Sequence, residues 1–293
     1  MYLSNNFKNI IAKYMVGFDI IYWINLDRME DRKKKMTDDM LKYIMVPNIR
    51  ISAIDGTNEN DNMIYGKFNA SEFKNSKKEY ACLLSHLNTI KQFSESNYKI
   101  ALILEDGICF DFIKYWNKPI ETIISEAPAD WDIITLNYSD QDYNIKDTYT
   151  LRLPNKRIWG AVSYIINIKA AQKLINNIYK NNIYILNNKS LHVSDDFIFT
   201  NLNTYVYKYA YFIWPDDNIS SITEETPEIG HINFLKERKN DLIKTWEEYY
   251  KNNETFVNIP IIDKITRDGV LQTMILLFIL YCIVIFIHPY INF

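Results

Sequence analysis

The chain has 293 residues, of which 33 are Lys or Arg and 36 are Asp or Glu, so its formal net charge is -3. This near balance excludes a dedicated nucleic-acid-binding protein, which carries an excess of basic residues. Hydrophobic residues at 48% and charged residues at 24% are typical of a folded protein and exclude intrinsic disorder. The length suits one large domain or two small ones.

Glycine, cysteine and histidine positions exclude several classes of site. The seven glycines are all at least ten residues apart. A Rossmann dinucleotide fingerprint and a phosphate-binding loop each need glycines clustered within about six residues, so both are excluded. The cysteines, Cys82, Cys109 and Cys282, form no CxxC pair, and the four histidines show no HExxH spacing. A zinc finger, a disulfide scaffold and a zinc protease therefore have no support.

Short apolar runs alternate with helical patterns between residues 20 and 215. The apolar runs predict strands at 20–25, 49–54, 100–104, 131–136, 159–168 and 206–214. Apolar residues at helical spacing predict helices at 28–44, 80–93, 169–179 and 231–251. This alternation predicts an α/β domain with a mostly parallel central sheet.

The two ends of the chain differ in character. The first 20 residues contain polar residues throughout, so no secretory signal peptide is expected. Residues 270–287 carry no charge, and such a length is about enough to cross the hydrocarbon core of a bilayer. A buried core helix is the alternative, but it would usually show a polar face. With Lys264 and Arg267 just before the segment, we expect a single-pass C-terminal membrane anchor with the folded domain facing the cytosol.

Ligands bind at the carboxyl ends of strands in sheets of this kind. Glu105 and Asp106 follow the clearest predicted strand, and two carboxylates there can hold a divalent cation that neutralises a departing diphosphate. A solvated turn or a helix cap explains two acids after a strand equally well. Arg28 and Arg32 are four residues apart, so they share a helix face and can bind phosphate oxygens. A solvated face with internal ion pairs is the alternative.

The pair Asp195–Asp196 precedes an apolar run late in the chain. One of the two can act as a general base that deprotonates an acceptor hydroxyl. The other interpretation is that Ser194 and Asp195 cap a helix and interact with its dipole. His86 lies in a predicted helix, where a lone histidine is more often packed than catalytic.

Taken in order, these segments resemble glycosyltransferase family 25, which includes bacterial lipopolysaccharide galactosyltransferases and animal collagen β-galactosyltransferases. The matching segments are INLDRMEDR at 24–32, SAIDG at 52–56, YACLLSHL at 80–87, ALILEDG at 101–107, WDIITLN at 131–137, WGAVSYII at 159–166 and SDDFIF at 194–199. The resemblance covers roughly residues 20–222, and its specificity comes from seven motifs in the right order and spacing.

The resemblance implies a GT-A fold and a transferase that moves a hexose, most often galactose, from a UDP-sugar to a glycan or protein hydroxyl with inversion. It also implies a site, whose expected members are Asn25, Arg28, Arg32, Asp55 and His86 for the donor, Glu105 and Asp106 for Mn²⁺ or Mg²⁺, and Asp195 or Asp196 for the acceptor. The expected organisation is an extension at 1–19, the transferase domain at 20–230, an amphipathic helix and linker at 231–267, and the anchor at 268–293.

One position departs from the family pattern. The family strand usually ends Glu-Asp-Asp, whereas the third position here is Gly107. This removes a carboxylate from the expected cation site and puts metal dependence in question. The departure favours an alternative function, in which a degenerate transferase serves as a membrane-anchored binding or scaffold protein.

Overall fold

The structure is a computed structural model that describes residues 13–139, 145–153, 158–186, 190–215 and 229–253. The chain divides into two units, Met1–Trp246 and Glu247–Phe293. In the second unit, the described residues are 247–253, at the end of the last helix. The sheets and the site described below belong to the first unit. The domain boundaries expected at 19/20, 230/231 and 267/268 stay predictions.

A central sheet of seven strands organises the described part of the first unit. The strands are β1 (Ile20–Asn25), β2 (Asn48–Ser52), β4 (Ile100–Glu105), β5 (Ile133–Thr135), β6 (Tyr149–Leu151), β7 (Ser163–Asn167) and β10 (Thr204–Tyr207). Their order across the sheet is β2-β1-β4-β7-β5-β10-β6. All six residues of β1 are buried, and the inner four of β4 are too, as expected for central strands covered on both faces.

The sheet is mixed, which corrects the prediction of a mostly parallel one. Strand β1 is parallel to β2 and β4, and β5 is parallel to β10. Strand β7, however, is antiparallel to both of its neighbours, β4 and β5, and β6 is antiparallel to β10. The apolar run of β7 did not reveal its direction, because a strand buried on both faces reads the same way in either orientation.

A second sheet joins the short strands β3 (Phe68–Asn69), β9 (Ile183–Ile185) and β8 (Tyr179–Lys180), in that order. Asn181 and Asn182 have positive φ angles of 52° and 66°, which suits the two-residue turn between β8 and β9. The sequence analysis missed this sheet because strands of two or three residues are too short to show alternation.

Seven helices are described. They are α1 (Glu30–Tyr43), α2 (Asp61–Ile64), α3 (Lys77–Ser94), α4 (Ile120–Glu126), α5 (Ile168–Ile178), α6 (Ser194–Thr200) and α7 (Ile229–Asn252), with 3₁₀ turns at Tyr65–Lys67 and Asp111–Tyr115. A capping box between Ser76 and Glu79 fixes the start of α3, three residues before the predicted start. Helices α3 and α5, through residues such as Leu87 and Leu174, pack in one core with residues of β1, β4 and β7.

Within the described ranges, no helix is both long and apolar enough to cross a membrane. Helix α7 has 24 residues, but it carries charged side chains from Lys236 to Lys251, and charges are costly in a bilayer. The prediction of a C-terminal transmembrane helix is therefore not supported, and neither is the membrane localisation that depended on it. The segment that carried the prediction, 270–287, lies outside the described residues.

Candidate active site

A cavity of about 530 Å³ opens at the carboxyl ends of β1 and β4. Its polar lining includes side chains of both charges and a histidine. Those proposed from the sequence are Arg28, Arg32, Asp55, His86, Glu105, Asp106 and Asp195. Asn25 and Asp196, also proposed from the sequence, are not among the residues that line it. The structure thus brings together seven of the nine candidate side chains, from five separate segments of the chain.

Two arginines occupy the cavity wall where β1 leads into α1. Arg28 lies just before the helix and donates from Nε to Asp55 Oδ2 at 2.8 Å. Arg32 lies in the first turn, and its Nη1 is 3.4 Å from Asp106 Oδ1. Burial raises the pKa of Asp55, but the amide of Thr57 and the charge of Arg28 outweigh that effect and leave the pKa below its usual value. Both guanidinium groups are therefore held at the cavity by carboxylates.

Asn25 lies outside the cavity lining and contacts Asp106, which lines the cavity. It is 1% exposed, and its Nδ2 donates to Asp106 Oδ2 at 2.6 Å. Its Oδ1 accepts from Arg50 Nε at 2.8 Å, and Arg50 also forms an ion pair with Asp27. Burial raises the pKa of Asp106, although Asn25 and Arg32 act in the opposite direction. Asn25, which the resemblance placed near the nucleotide, thus contacts the cavity through its hydrogen bond to Asp106.

His86 links the core to Glu105. Its side chain is fully buried on α3, with Nε2 2.9 Å from Glu105 Oε1 and Nδ1 3.1 Å from the Tyr164 hydroxyl. Because a carboxylate only accepts, the network assigns the proton to Nε2, and the Tyr164 hydroxyl donates to Nδ1. Burial raises the pKa of Tyr164, which keeps the phenol protonated and able to donate. This chain of hydrogen bonds fixes the orientation of Glu105.

Asp195 and Asp196 point in different directions, since successive residues of a helix are about 100° apart. Asp195 lines the cavity, and its Oδ1 accepts from the amide of Ala161 at 2.6 Å. Burial and the nearby charge of Glu105 raise the pKa of Asp195 to about 6. Asp196 is 2% exposed and pairs with Arg152 Nη2 at 2.5 Å. Of the two, Asp195 therefore has the position and the pKa that suit a general base.

Gly160 shapes the loop that holds Asp195. Its φ of +141° is a conformation that side chains rarely adopt, and an added Cβ would lie 2.7 Å from the carbonyl oxygen of Asn137. We expect Gly160→Ala to lower the free energy of unfolding by about 1–3 kcal/mol or more, measured by chemical denaturation. Gly66→Ala is the matched control, because an added Cβ there has nothing within 4 Å. Equal stability of the two variants would contradict this account.

Two groups of side chains can hold a metal ion at the cavity. Glu105 and Asp106 offer carboxylate oxygens, the donors that Mg²⁺ and Mn²⁺ prefer. Gly107 adds no ligand, and Asp111 is exposed and does not line the cavity, so it does not replace the missing acid. The second group is Cys82, His86 and Glu105, whose ligand atoms all lie within 4.8 Å of one another.

Lys78 and Cys82 also line the cavity and were missed by the sequence analysis of the site. Both belong to α3, and with His86 they are spaced four residues apart, which places all three on one helix face. The predicted helix began at residue 80, so Lys78 fell outside it. Helical spacing back from His86 is the signal that would have found both residues.

The segments that form the cavity match a known family. The chain matches the family described as glycosyltransferase family 25 (LPS biosynthesis protein) over residues 18–198. This range contains the cavity residues of β1, α1, α3, β4 and α6 and those of the loop before β7. The chain belongs to glycosyltransferase family 25, an enzyme family, and the resemblance noted from its motifs is confirmed.

Its curated relatives include animal galactosyltransferases. The chain is 24% identical over 178 residues to procollagen galactosyltransferase 1-A of Xenopus laevis, covering 55% of this chain and 28% of that protein. It is 24% identical over 189 residues to procollagen galactosyltransferase 2 of Homo sapiens, covering 58% and 30%. A glycosyltransferase 25 family member of Aedes aegypti is 24% identical over 191 residues, covering 59% and 31%. The chain thus spans less than a third of the length of these relatives.

Proposed function

We propose that this cavity binds a UDP-sugar and that the chain transfers the hexose, galactose by preference, to a hydroxyl of a glycan or protein with inversion. The observation that carries the proposal is that two arginines, two acids and Asp195, from separate elements of the chain, line a single cavity. The names of the relatives, procollagen galactosyltransferases, support galactose as the sugar.

Arg28 and Arg32 are the diphosphate-binding residues in this proposal. A guanidinium group presents several N–H donors in one plane, which suits phosphate oxygens. Each arginine is already oriented toward the cavity by a carboxylate, so little side-chain freedom is lost when the ligand arrives. The positive charge they carry stabilises the diphosphate as it departs from the sugar.

Glu105 and Asp106 have the donor chemistry to hold Mn²⁺ or Mg²⁺, and a bound cation would add positive charge next to the departing diphosphate. The chain's own part is to keep both carboxylates in place. Asn25 and Arg32 hold Asp106, while His86 and Tyr164 hold Glu105. We propose that Asp106 matters more than Glu105 for donor binding, because it lies directly against Arg32.

Asp195 is the proposed general base. An inverting transfer needs a base that removes the proton of the acceptor hydroxyl on the face of the sugar opposite to the leaving group. Asp195 comes from α6, whereas the diphosphate-binding groups come from α1, the segment before it and the end of β4, so the base and the leaving-group site belong to different elements. The raised pKa of Asp195 makes its carboxylate a stronger base than an exposed aspartate.

The double substitution Arg28→Ala/Arg32→Ala should weaken UDP binding by about 1–3 kcal/mol, because charged hydrogen bonds to phosphate oxygens are lost. Isothermal titration calorimetry with UDP measures the change. Lys34→Ala is the control, since Lys34 is an exposed residue of α1 outside the cavity lining. If the double variant and the control bind UDP equally well, the diphosphate does not lie at these arginines.

A panel of nucleotide sugars tests the function as a whole. We expect UDP-galactose to raise the melting temperature of the protein by mass action and to be consumed when an acceptor is present. The second candidate function, a degenerate transferase that binds without turnover, is favoured by Gly107 and by the ion pair that already occupies Asp106. Stabilisation by a donor without any transfer or hydrolysis would support the second candidate, and no response to any nucleotide sugar would reject both.

A further inference from the structure

Cys82, His86 and Glu105 bring three different ligand types to one point of the cavity wall. Cys82 and His86 are four residues apart on α3, so their side chains project from one helix face, one turn apart. Glu105 reaches the same point from the end of β4. The Sγ, imidazole nitrogen and carboxylate oxygen all lie within 4.8 Å of one another, and all three residues line the cavity.

This set of ligand atoms has a definite metal preference. Mg²⁺ and Mn²⁺ select carboxylates, carbonyls and water, so a thiol and an imidazole fit them poorly. Zn²⁺ binds sulfur, nitrogen and oxygen ligands together, commonly in tetrahedral sites. Three protein ligands beside an open cavity leave the fourth position to water, as in zinc sites that are not closed by protein.

We propose that Cys82, His86 and Glu105 form a Zn²⁺-binding site that shares Glu105 with the Mn²⁺ or Mg²⁺ pair, Glu105 and Asp106. The ion takes the position between His86 Nε2 and Glu105 Oε1, which are 2.9 Å apart and move apart to admit it. The proton on Nε2 is exchanged for one on Nδ1, which then donates to the Tyr164 oxygen. Cys82 binds as the thiolate, and its proton passes to solvent.

Neighbouring side chains already orient His86 and restrict Cys82, as expected for residues that bind a metal ion. A histidine that binds a metal usually bonds through its other ring nitrogen to a neighbouring group that orients the ring. Tyr164 provides that contact, 3.1 Å from His86 Nδ1, and both side chains are fully buried. On the other side, Cys82 Sγ lies 3.6 Å from Ser194 Oγ, which restricts the thiol.

Zn²⁺ at this site would inhibit the transferase, a consequence that rests on the proposed function. Glu105 belongs to both metal sets, so an ion held by Cys82 and His86 draws its carboxylate away from the diphosphate side. Zn²⁺ therefore competes with Mn²⁺ or Mg²⁺ for the carboxylate of Glu105.

Co²⁺ is the probe, since it replaces Zn²⁺ and gives an absorption band when bound to a thiolate. We expect the full chain, titrated with Co²⁺ without any nucleotide, to show this band at one ion per chain and to lose it when Zn²⁺ is added. Cys82→Ser should abolish the band, whereas Cys109→Ser and Cys282→Ser should keep it. Tyr164→Phe should keep the band but weaken Co²⁺ binding by about 10–100-fold, the effect of losing a supporting contact.

A Co²⁺ titration without a thiolate band would overturn the proposal, as would a band that survives in Cys82→Ser. Melting curves of each variant, recorded without metal, exclude unfolding as the cause of a lost band. Because no nucleotide or turnover enters the measurement, its failure leaves the proposed transferase function standing, and an inactive protein can still show the site.

Discussion

Replacing Asp195 by Asn is expected to reduce turnover by about a hundred- to ten-thousand-fold, the usual contribution of a positioned general base. The amide cannot take the acceptor proton, while its oxygen can still accept from the amide of Ala161, now 2.6 Å from Asp195 Oδ1. Donor affinity and melting temperature should therefore change little. Steady-state kinetics with UDP-galactose and an acceptor, beside calorimetry with UDP, separates the loss of chemistry from a loss of binding.

The pH dependence of the unmodified protein checks the same assignment. The pKa of Asp195 is raised to about 6, chiefly by burial and then by Glu105, so the protonated form accumulates as the pH falls through that value. A protonated carboxyl cannot act as a base, and kcat/KM should decline below about pH 6. Near-normal turnover of Asp195→Asn, or a pH profile that is flat through this range, would remove Asp195 from the mechanism.

Asp196→Asn is expected to act on stability instead, lowering the free energy of unfolding by about 3–5 kcal/mol. Asp196 pairs with Arg152 at 2.5 Å, and the two side chains are 3% and 0% exposed. The carboxylate also accepts from the amide of Leu191, and Arg152 donates to Thr200 Oγ1 at 2.8 Å. Neutralising Asp196 leaves a buried guanidinium without its counter-charge, which chemical denaturation will report.

A double substitution controls for this loss. Arg152→Met/Asp196→Leu removes both charges and fills the space with apolar side chains, so it should recover much of the stability that Asp196→Asn loses. If Asp196→Asn is instead as stable as the unmodified protein but loses turnover, then Asp196 and not Asp195 serves the reaction. Because the two aspartates are adjacent, the two sets of measurements form a direct comparison.

The sequence predicted the centre of the fold well, for physical reasons that can be named. The predicted strand 20–25 coincides with β1, and the predicted strand 100–104 falls one residue short of β4. Both are uninterrupted apolar runs of a length typical of buried strands. Helix α3 shows core residues such as Leu83, Leu87 and Ile90 at helical spacing, all of them fully buried. Strand direction is not encoded in such patterns, which is why the reversal of β7 was missed.

The candidate site was predicted as a set of residues but not as an arrangement. Polar residues at strand ends led to Arg28, Glu105 and Asp106, because the topology of α/β sheets places such ends together. The different environments of Asp195 and Asp196 depend on Arg152, which is distant in sequence and gave no local signal. The roles of Asn25 and Tyr164 likewise follow from contacts between elements, which no single segment reveals.

The transmembrane prediction lacks support for a different reason. Its main basis was the hydropathy of residues 270–287, which lie outside the part of the chain that the structure describes. A hydropathy window measures how apolar a segment is and carries no information about what surrounds it.

Two successive residues, Ala161 and Val162, connect the proposed cation site to the proposed base. The carbonyl oxygen of Val162 accepts from the amide of Glu105 at 2.9 Å, and the amide of Ala161 donates to the side chain of Asp195 at 2.6 Å. The backbone of Ala161 and Val162 thus sets the spacing between Glu105, in the proposed cation site, and Asp195, the proposed base. Substitutions that repack the core can accumulate without altering that spacing, while an insertion between Ala161 and Val162 would change it at once.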